Sequence, residues 1–335
     1  MRKRGLALMM AAMCMLNTGC GANEDATENT TNESQTVNQT EEKVNDTLMR
    51  VPDGYLKVIE EKGTVTTITY DATLIDGSVI TKTAYVYLPY GYDENKQYDI
   101  IYCLHGGEGD TKAYLGTDAS PGNVKRMLDN MIANGDIKPI IAVAPTYYAD
   151  RSESAAMGKA ISRIEYFTEN ELVKELIPAV EGQFSTYAET TDLEGIKASR
   201  EHRAYTGFSM GSLSTWYTFL NASDYFYYYM PMSGDCWING GSNASGAARK
   251  LEQYCQDKGY DGDEFFIFAV TGSDDIAYAA MNSQIDNMKK ISPTFRFTDD
   301  GSNEKNIVFM VEPKATHSFA FLPIYMYNGL QMFFK

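Results

Sequence analysis

His202-Arg203-Ala204-Tyr205-Thr206-Gly207-Phe208-Ser209-Met210-Gly211 is the stretch on which the fold turns. His202 to Thr206 is a strand-length apolar run, and Met210 to Leu220 carries a helical pattern, so the residues between them form a strand-to-helix junction. That junction fits G-x-S-x-G, in which flanking glycines let a sharp turn push the serine outward without Cβ clashes. Ser209 is therefore the candidate nucleophile. Working outward, the same alternation repeats. Strand-length runs at Asp99 to Leu104, Ile140 to Ala144, Tyr228 to Met232, Phe265 to Val270 and Ile307 to Val311 are interleaved with helical patterns. These fall at Asn123 to Asn134, Thr168 to Phe184, Ala244 to Asp257, Ala277 to Lys289 and Pro323 to Phe334. The alternation predicts an α/β architecture: a mostly parallel central sheet with helices on both faces. Ahead of it, Thr64 to Leu74 and Val79 to Leu88 flank Asp76-Gly77, which predicts an N-terminal antiparallel hairpin.

The chain has 335 residues, 44% of them hydrophobic. That is enough apolar material for one large core in residues 51–335, where no linker-like segment intervenes. Its 45 acidic against 29 basic side chains give a formal net charge of −16. Such a surface repels nucleic-acid phosphates and anionic lipid headgroups alike, and no nucleic-acid partner is expected. Five cysteines without C-x-x-C spacing, and only three histidines, supply too few ligands for a zinc ribbon or a multi-histidine centre. Neither a metal nor a cofactor is expected.

Arg2, Lys3 and Arg4 precede an apolar run from Gly5 to Leu16, and small residues then lead to Cys20. Residues 1–19 read as a signal peptide resembling the bacterial lipoprotein type, with Cys20 as the lipidated residue and plain secretion as the alternative. Residues 20–50 are rich in Thr, Asn and acids, lack aromatic residues and read as a disordered tether. An extracytoplasmic, surface-anchored protein is expected. It would meet the membrane only through that anchor, and no obligate protein partner is implied.

A serine hydroxyl needs a base, and three imidazoles are available. His202 precedes Ser209 by seven residues, roughly 20 Å along an extended strand and at the wrong end of the sheet. His105 opens His105-Gly106-Gly107, a segment suited to shaping backbone near the site. His317 lies in a loop beyond the strand Ile307 to Val311, where it can reach the carboxyl ends of the strands. It is the candidate base. The acid that orients it is expected between nucleophile and base, where Asp274 and Asp275 both follow a strand; Asp275 is favoured, although adjacency leaves either open. The oxyanion needs two N–H donors. Met210 supplies one and the glycine pair the other, most naturally Gly107, with Gly106 beside it.

These motifs together resemble the esterase D and carbohydrate esterase family-one group, above all its bacterial feruloyl and acetylxylan esterases. The resemblance covers most of residues 64–335. It rests on Leu104-His105-Gly106-Gly107-Glu108-Gly109, Pro145-Thr146-Tyr147-Tyr148, Glu171-Leu172 with Ile177-Pro178, G-F-S-M-G, Ser233-Gly234-Asp235-Cys236-Trp237, Gly272-Ser273-Asp274-Asp275 and His317-Ser318-Phe319. It implies an α/β-hydrolase fold and a triad of Ser209, Asp275 and His317. Two positions depart from the group: Ser212 stands where a second glycine is common, and Gly-Ser-Asp-Asp replaces Gly-Thr-x-Asp. The implied function is a serine esterase acting on acylated plant cell-wall polysaccharide or oligosaccharide, releasing ferulate or related hydroxycinnamates from xylan. Acetylxylan esterase, an acyltransferase or another ester hydrolase of this fold, and a non-catalytic glycan-binding lipoprotein are the alternatives. Tyr147, Tyr148 and Trp237 are expected to rim an aromatic cleft, and Asp235 to accept a sugar or phenol hydroxyl. A Cys236 to Cys255 bridge is conceivable outside the cytoplasm.

Overall fold

A computed structural model describes residues 47–107, 109–150, 157–298 and 304–335. The signal peptide, Cys20, most of the tether and Glu108 lie outside the described residues. The tether, expected to run to residue 50, ends earlier. Leu48 is buried, the Met49 backbone exchanges hydrogen bonds with the Asn328 side chain at 2.8 and 2.9 Å, and Arg50 pairs with Glu312. The apolar Leu48-Met49 pair is what the charge-rich segment before it lacks.

Strands β1 (Thr64–Thr73) and β2 (Val79–Leu88) pair antiparallel with Thr64 opposite Leu88. Gly77 in the connecting turn adopts φ +82°, a conformation glycine reaches without Cβ strain. Ile68, Tyr70 and Ala72 alternate with exposed residues on β1, so one face of the hairpin joins the core. Strands β3 (Asp99–Leu104), β4 (Ile140–Ala144) and β5 (Arg203–Phe208) are buried at every residue, as strands covered on both faces must be. With β6 (Tyr228–Met232), β9 (Phe266–Gly272) and β10 (Ile307–Glu312) they complete an eight-stranded sheet of order β1-β2-β4-β3-β5-β6-β9-β10. β2 runs antiparallel to β4, and every pairing from β4 to β10 is parallel. All six parallel strands therefore end at one edge. Between β6 and β9, β7 (Trp237–Ile238) and β8 (Gly241–Ser242) form a separate small hairpin.

Two apolar clusters sandwich this sheet. Helices α1 (Asn123–Ala133) and α8 (Leu322–Leu330) supply one. The other holds α2 (Met157–Tyr166), α3 (Ile177–Glu181), α4 (Leu193–Ala198), α5 (Met210–Ala222), α6 (Ala244–Lys258) and α7 (Tyr278–Ile291). The expected helix at 168–184 is one continuous run that begins earlier, at Met157, and is π-wound over Phe167–Leu176. Within it Glu171 is buried against Lys82 Nζ at 2.6 Å and accepts from the Tyr70 hydroxyl at 2.7 Å. Burial pushes the Glu171 carboxyl above its ordinary range, and Lys82 only partly offsets this. The three described cysteines, Cys103, Cys236 and Cys255, are separate buried thiols, so Cys236 and Cys255 do not bridge. Burial pushes both of their thiols up to about 12.

Candidate active site

β5 is fastened at its first residue. Arg203 donates from Nε and Nη2 to the two carboxylate oxygens of Glu181, both at 2.7 Å, and the pair is fully buried. His202 stands just before this anchor, with Nδ1 2.7 Å from Asp99 Oδ1 and its ring stacked on Tyr187, at the amino ends of the strands. It is therefore remote from the opposite edge, where Ser209 emerges. Ser209 has φ +59° and ψ −115°, backbone that a side chain rarely tolerates. The glycines beside it are demanded by close approach. A Cβ on Gly207 would stand 2.3 Å from Gly211 O, and one on Gly211 would stand 2.1 Å from Leu104 O. The sequence pattern thus packs the turn against β3 and leaves the serine exposed to the cleft.

The loop after β10 brings in His317, whose Nε2 lies 2.9 Å from Ser209 Oγ and whose Nδ1 lies 2.7 Å from Asp275 Oδ1. A carboxylate only accepts, so Nδ1 carries the proton and Nε2 is free to receive the serine's. Of the two adjacent aspartates, Asp275 turns inward with its side chain fully buried. Asp274 is exposed and accepts from Ser273 Oγ at 2.9 Å. Burial acts to raise the Asp275 carboxyl, but hydrogen bonding from His317 and from the Ala277 N–H, 2.8 Å from Oδ1, outweighs it. Its ionisation is held below the ordinary carboxylate range.

Gly106 and Gly107 lie against the elbow. An ideal Cβ on Gly106 would meet Ser209 Cβ at 3.3 Å, and one on Gly107 would meet Met210 Cγ at 3.3 Å. This loop is braced from behind: His105 Nδ1 donates to Gly106 O at 2.7 Å, and Thr146 Oγ1 donates to Nε2 at 2.9 Å. Tyr147 and Tyr148, expected at the rim, belong to that brace instead. Both are buried and pack on the His105 ring, with centroids 5.4 and 5.0 Å away, and the Tyr148 hydroxyl donates to Gly109 O. β3 separates β4 from β5, so the loop leaving β3 stands between these tyrosines and Ser209.

Ser209, Met210, His317, Gly106 and Gly107 open on a cleft of about 520 Å³ whose far wall carries Asp235 and Trp237. Asp235 Oδ1 accepts from Trp237 Nε1 at 3.0 Å and from Ser242 Oγ at 3.1 Å, whereas its buried Oδ2 has no partner. Asn239 and Gly240, both at positive φ, make the two-residue turn between β7 and β8 that folds Ser242 back. The sequence reading missed Leu213, Ser233, Ser242, Ile276 and Ala280 in this lining. The Asn239-Gly240 dipeptide was a signal for the hairpin that carries Ser242. Ile276 is 84% exposed beside Asp275, a large apolar side chain at the mouth.

The model of the Esterase family matches residues 81–321. Endo-1,4-beta-xylanase Y of Acetivibrio thermocellus is 41% identical over 283 residues, 84% of this chain and 24% of the relative. An endo-1,4-beta-xylanase/feruloyl esterase of Xylanibacter ruminicola is 32% identical over 163 residues, 47% of this chain and 20% of the relative. The chain thus spans a quarter or less of the length of these curated relatives. Among solved structures, a feruloyl esterase module from Clostridium thermocellum complexed with sinapinate is 40% identical, covers 86% of this chain and 94% of its own, and superposes with a TM-score of 0.73. A ferulic acid esterase of Anaeromyces mucronatus, 20% identical over 84% of this chain and 96% of its own, shares the fold with a TM-score of 0.61. With an elbow serine, a family match over most of its length and a 40%-identical module aligned almost end to end, this chain belongs to the Esterase family and has the α/β-hydrolase fold.

Proposed function

We propose that the protein hydrolyses esters on xylan or its oligosaccharides and releases hydroxycinnamates, ferulate foremost. The observation that carries this reading is the hydrogen-bonded line Asp275–His317–Ser209 opening on a cleft walled by Trp237 and Asp235. Ser209 Oγ attacks the ester carbonyl while His317 Nε2 takes its proton and Asp275 holds the resulting imidazolium. The backbone N–H groups of Met210 and Gly107, with Gly106 alongside, receive the oxyanion. His317 returns the proton to the departing sugar hydroxyl, then activates the water that frees the acyl group. A cleft of about 520 Å³ suits one aryl acyl group. Trp237 offers a stacking face, and the Asp235 carboxylate beside it offers an acceptor for a phenolic or sugar hydroxyl. The sinapinate-bound module and the xylanase relatives support the substrate class. The basic, apolar and Cys20-containing start of the chain supports secretion to the cell surface on a lipid anchor. Labelled palmitate entering the wild type but not Cys20→Ala is the expected result for that anchor.

The test is release of ferulate, p-coumarate and acetate from arabinoxylan oligosaccharides and from intact wall, with Ser209→Ala and His317→Ala alongside. Hydroxycinnamate release lost in both variants, and faster on oligosaccharides than on wall, is expected. Acetate alone would make it an acetylxylan esterase. Serine-dependent cleavage of a simple aryl ester, with no release from either material, would set the plant-wall substrate aside.

A further inference from the structure

Ser233 is a second serine of this site in left-handed backbone. It follows β6 with φ +56°, pinned by its N–H to Val270 O at 2.8 Å, and it lines the cleft while being 1% exposed. Strain of this kind persists only where the surroundings hold it, commonly at working sites. Ser233 Oγ, Asp275 Oδ2 and Tyr325 OH are all buried, and each lacks a hydrogen bond of full geometry. Ser233 lies beside both of the others, and the Asp275 charge reaches Tyr325. Ser233 draws the ionisation of both Asp275 and Tyr325 down, while burial, then the charges of Asp275 and Glu312, drive Tyr325 up. Tyr325 comes from α8 and Ser233 from the loop after β6, so two otherwise unrelated elements bring hydroxyls to the neighbourhood of this carboxylate, with Ser233 between Tyr325 and Asp275.

We propose that Ser233 and Tyr325 are positioning residues for Asp275, their hydroxyls serving Oδ2 as His317 and the Ala277 N–H serve Oδ1. The inference rests on reading Asp275 as the group that orients His317. A buried carboxylate oxygen left without a donor is destabilising, and a carboxylate held on one side only is free to swing. Small closure of the hydroxyls, or one ordered water between them, supplies the missing donors. The charged and titratable groups around Asp275 are His317, Tyr325, Glu312 with its partner Arg50, and the exposed Asp274. Donors on Oδ2 compete with the imidazolium for the carboxylate's charge. Their removal strengthens the pull on the protonated ring.

The experiment measures kcat, KM and the pH profile of kcat/KM on an aryl ester for the full chain, Tyr325→Phe, Ser233→Gly and the double variant. Glycine is used because it tolerates φ +56°, which keeps the loss of the hydroxyl separate from backbone strain. The double variant is expected to lose about tenfold in kcat with KM within about twofold. Its acid limb is expected at higher pH by about half a unit. An acid limb at the wild-type pH in all three variants overturns the inference, whatever happens to kcat or to thermal stability. Asp275→Asn separates this from the reading beneath it: full activity there overturns both, whereas an inactive Asp275→Asn with unmoved limbs overturns only the role of the two hydroxyls.

Discussion

Asp275 Oδ1 lies 2.7 Å from His317 Nδ1, while its chain neighbour Asp274 faces solvent and pairs with Ser273. One residue of register separates a buried, ring-orienting carboxylate from a surface one. Asp275→Asn is therefore expected to lower kcat by about 10³- to 10⁴-fold, because an amide at that place no longer favours the productive tautomer. Asp274→Asn is expected to stay within about threefold of the wild type. Steady-state kinetics on one aryl ester compares the two, and equal losses would contradict the assignment.

The same contact sets a pH dependence of stability. The folded-state ionisation of Asp275 lies below its unfolded value near 3.8. Its contribution is thus fully present above that value and fades as pH falls through the lower, folded one. Denaturant midpoints of wild type and Asp275→Asn are expected to differ at pH 6 and to converge below about pH 3.8. A gap that widens on acidification would have the wrong sign.

Gly211→Ala places a methyl 2.1 Å from Leu104 O, so β3 or the elbow must move. A stability loss of about 1–3 kcal/mol is expected, with kcat down at least about a hundredfold as Ser209 shifts from His317. Gly241→Ala is the control. Its new Cβ meets nothing within 4 Å, and its stability is expected within about 0.5 kcal/mol of the wild type by thermal melting.

Glu181→Gln leaves the Arg203 guanidinium buried without its anion at the root of β5, with an expected cost of about 3–5 kcal/mol. The double variant Glu181→Leu with Arg203→Met is expected to melt higher than Glu181→Gln alone. It stays below the wild type, because the Tyr102 hydroxyl and the carbonyls of Ile196 and Tyr225 lose their partners too. A double variant no more stable than the single would remove the charge argument.

Asp235→Ala removes a carboxylate from the cleft wall and frees the Trp237 indole. KM for a feruloyl ester is expected to rise about tenfold, and KM for an acetyl ester to change less than about twofold. Equal effects on both substrates would place Asp235 outside acyl recognition.

Local patterns carried much of this protein. Alternating apolar runs, the Asp76-Gly77 turn and G-x-S-x-G act over neighbouring residues, so the parallel sheet, the hairpin and the serine at a strand end were legible in the chain. Elimination among three histidines reached His317 because strand direction alone puts His202 at the other edge. What lay beyond local reading was register and occlusion. Nothing in Gly272-Ser273-Asp274-Asp275 says which carboxylate turns inward; Ala315 O receives the Asp274 N–H and Gly272 O the Asp275 N–H, and these tertiary and turn contacts fix the rotation. Tyr147 and Tyr148 follow a strand at the correct edge, yet β3 intervenes in the sheet order and converts them from rim to brace. Ser233 and Tyr325 lie 92 residues apart in chain numbering, and no sequence period links a strand end to a helix on the sheet's other face. Composition and periodicity determined the layers and the nucleophile. Only the folded packing decided which polar groups share the buried space behind it, because that depends on distances between elements that the chain order does not encode.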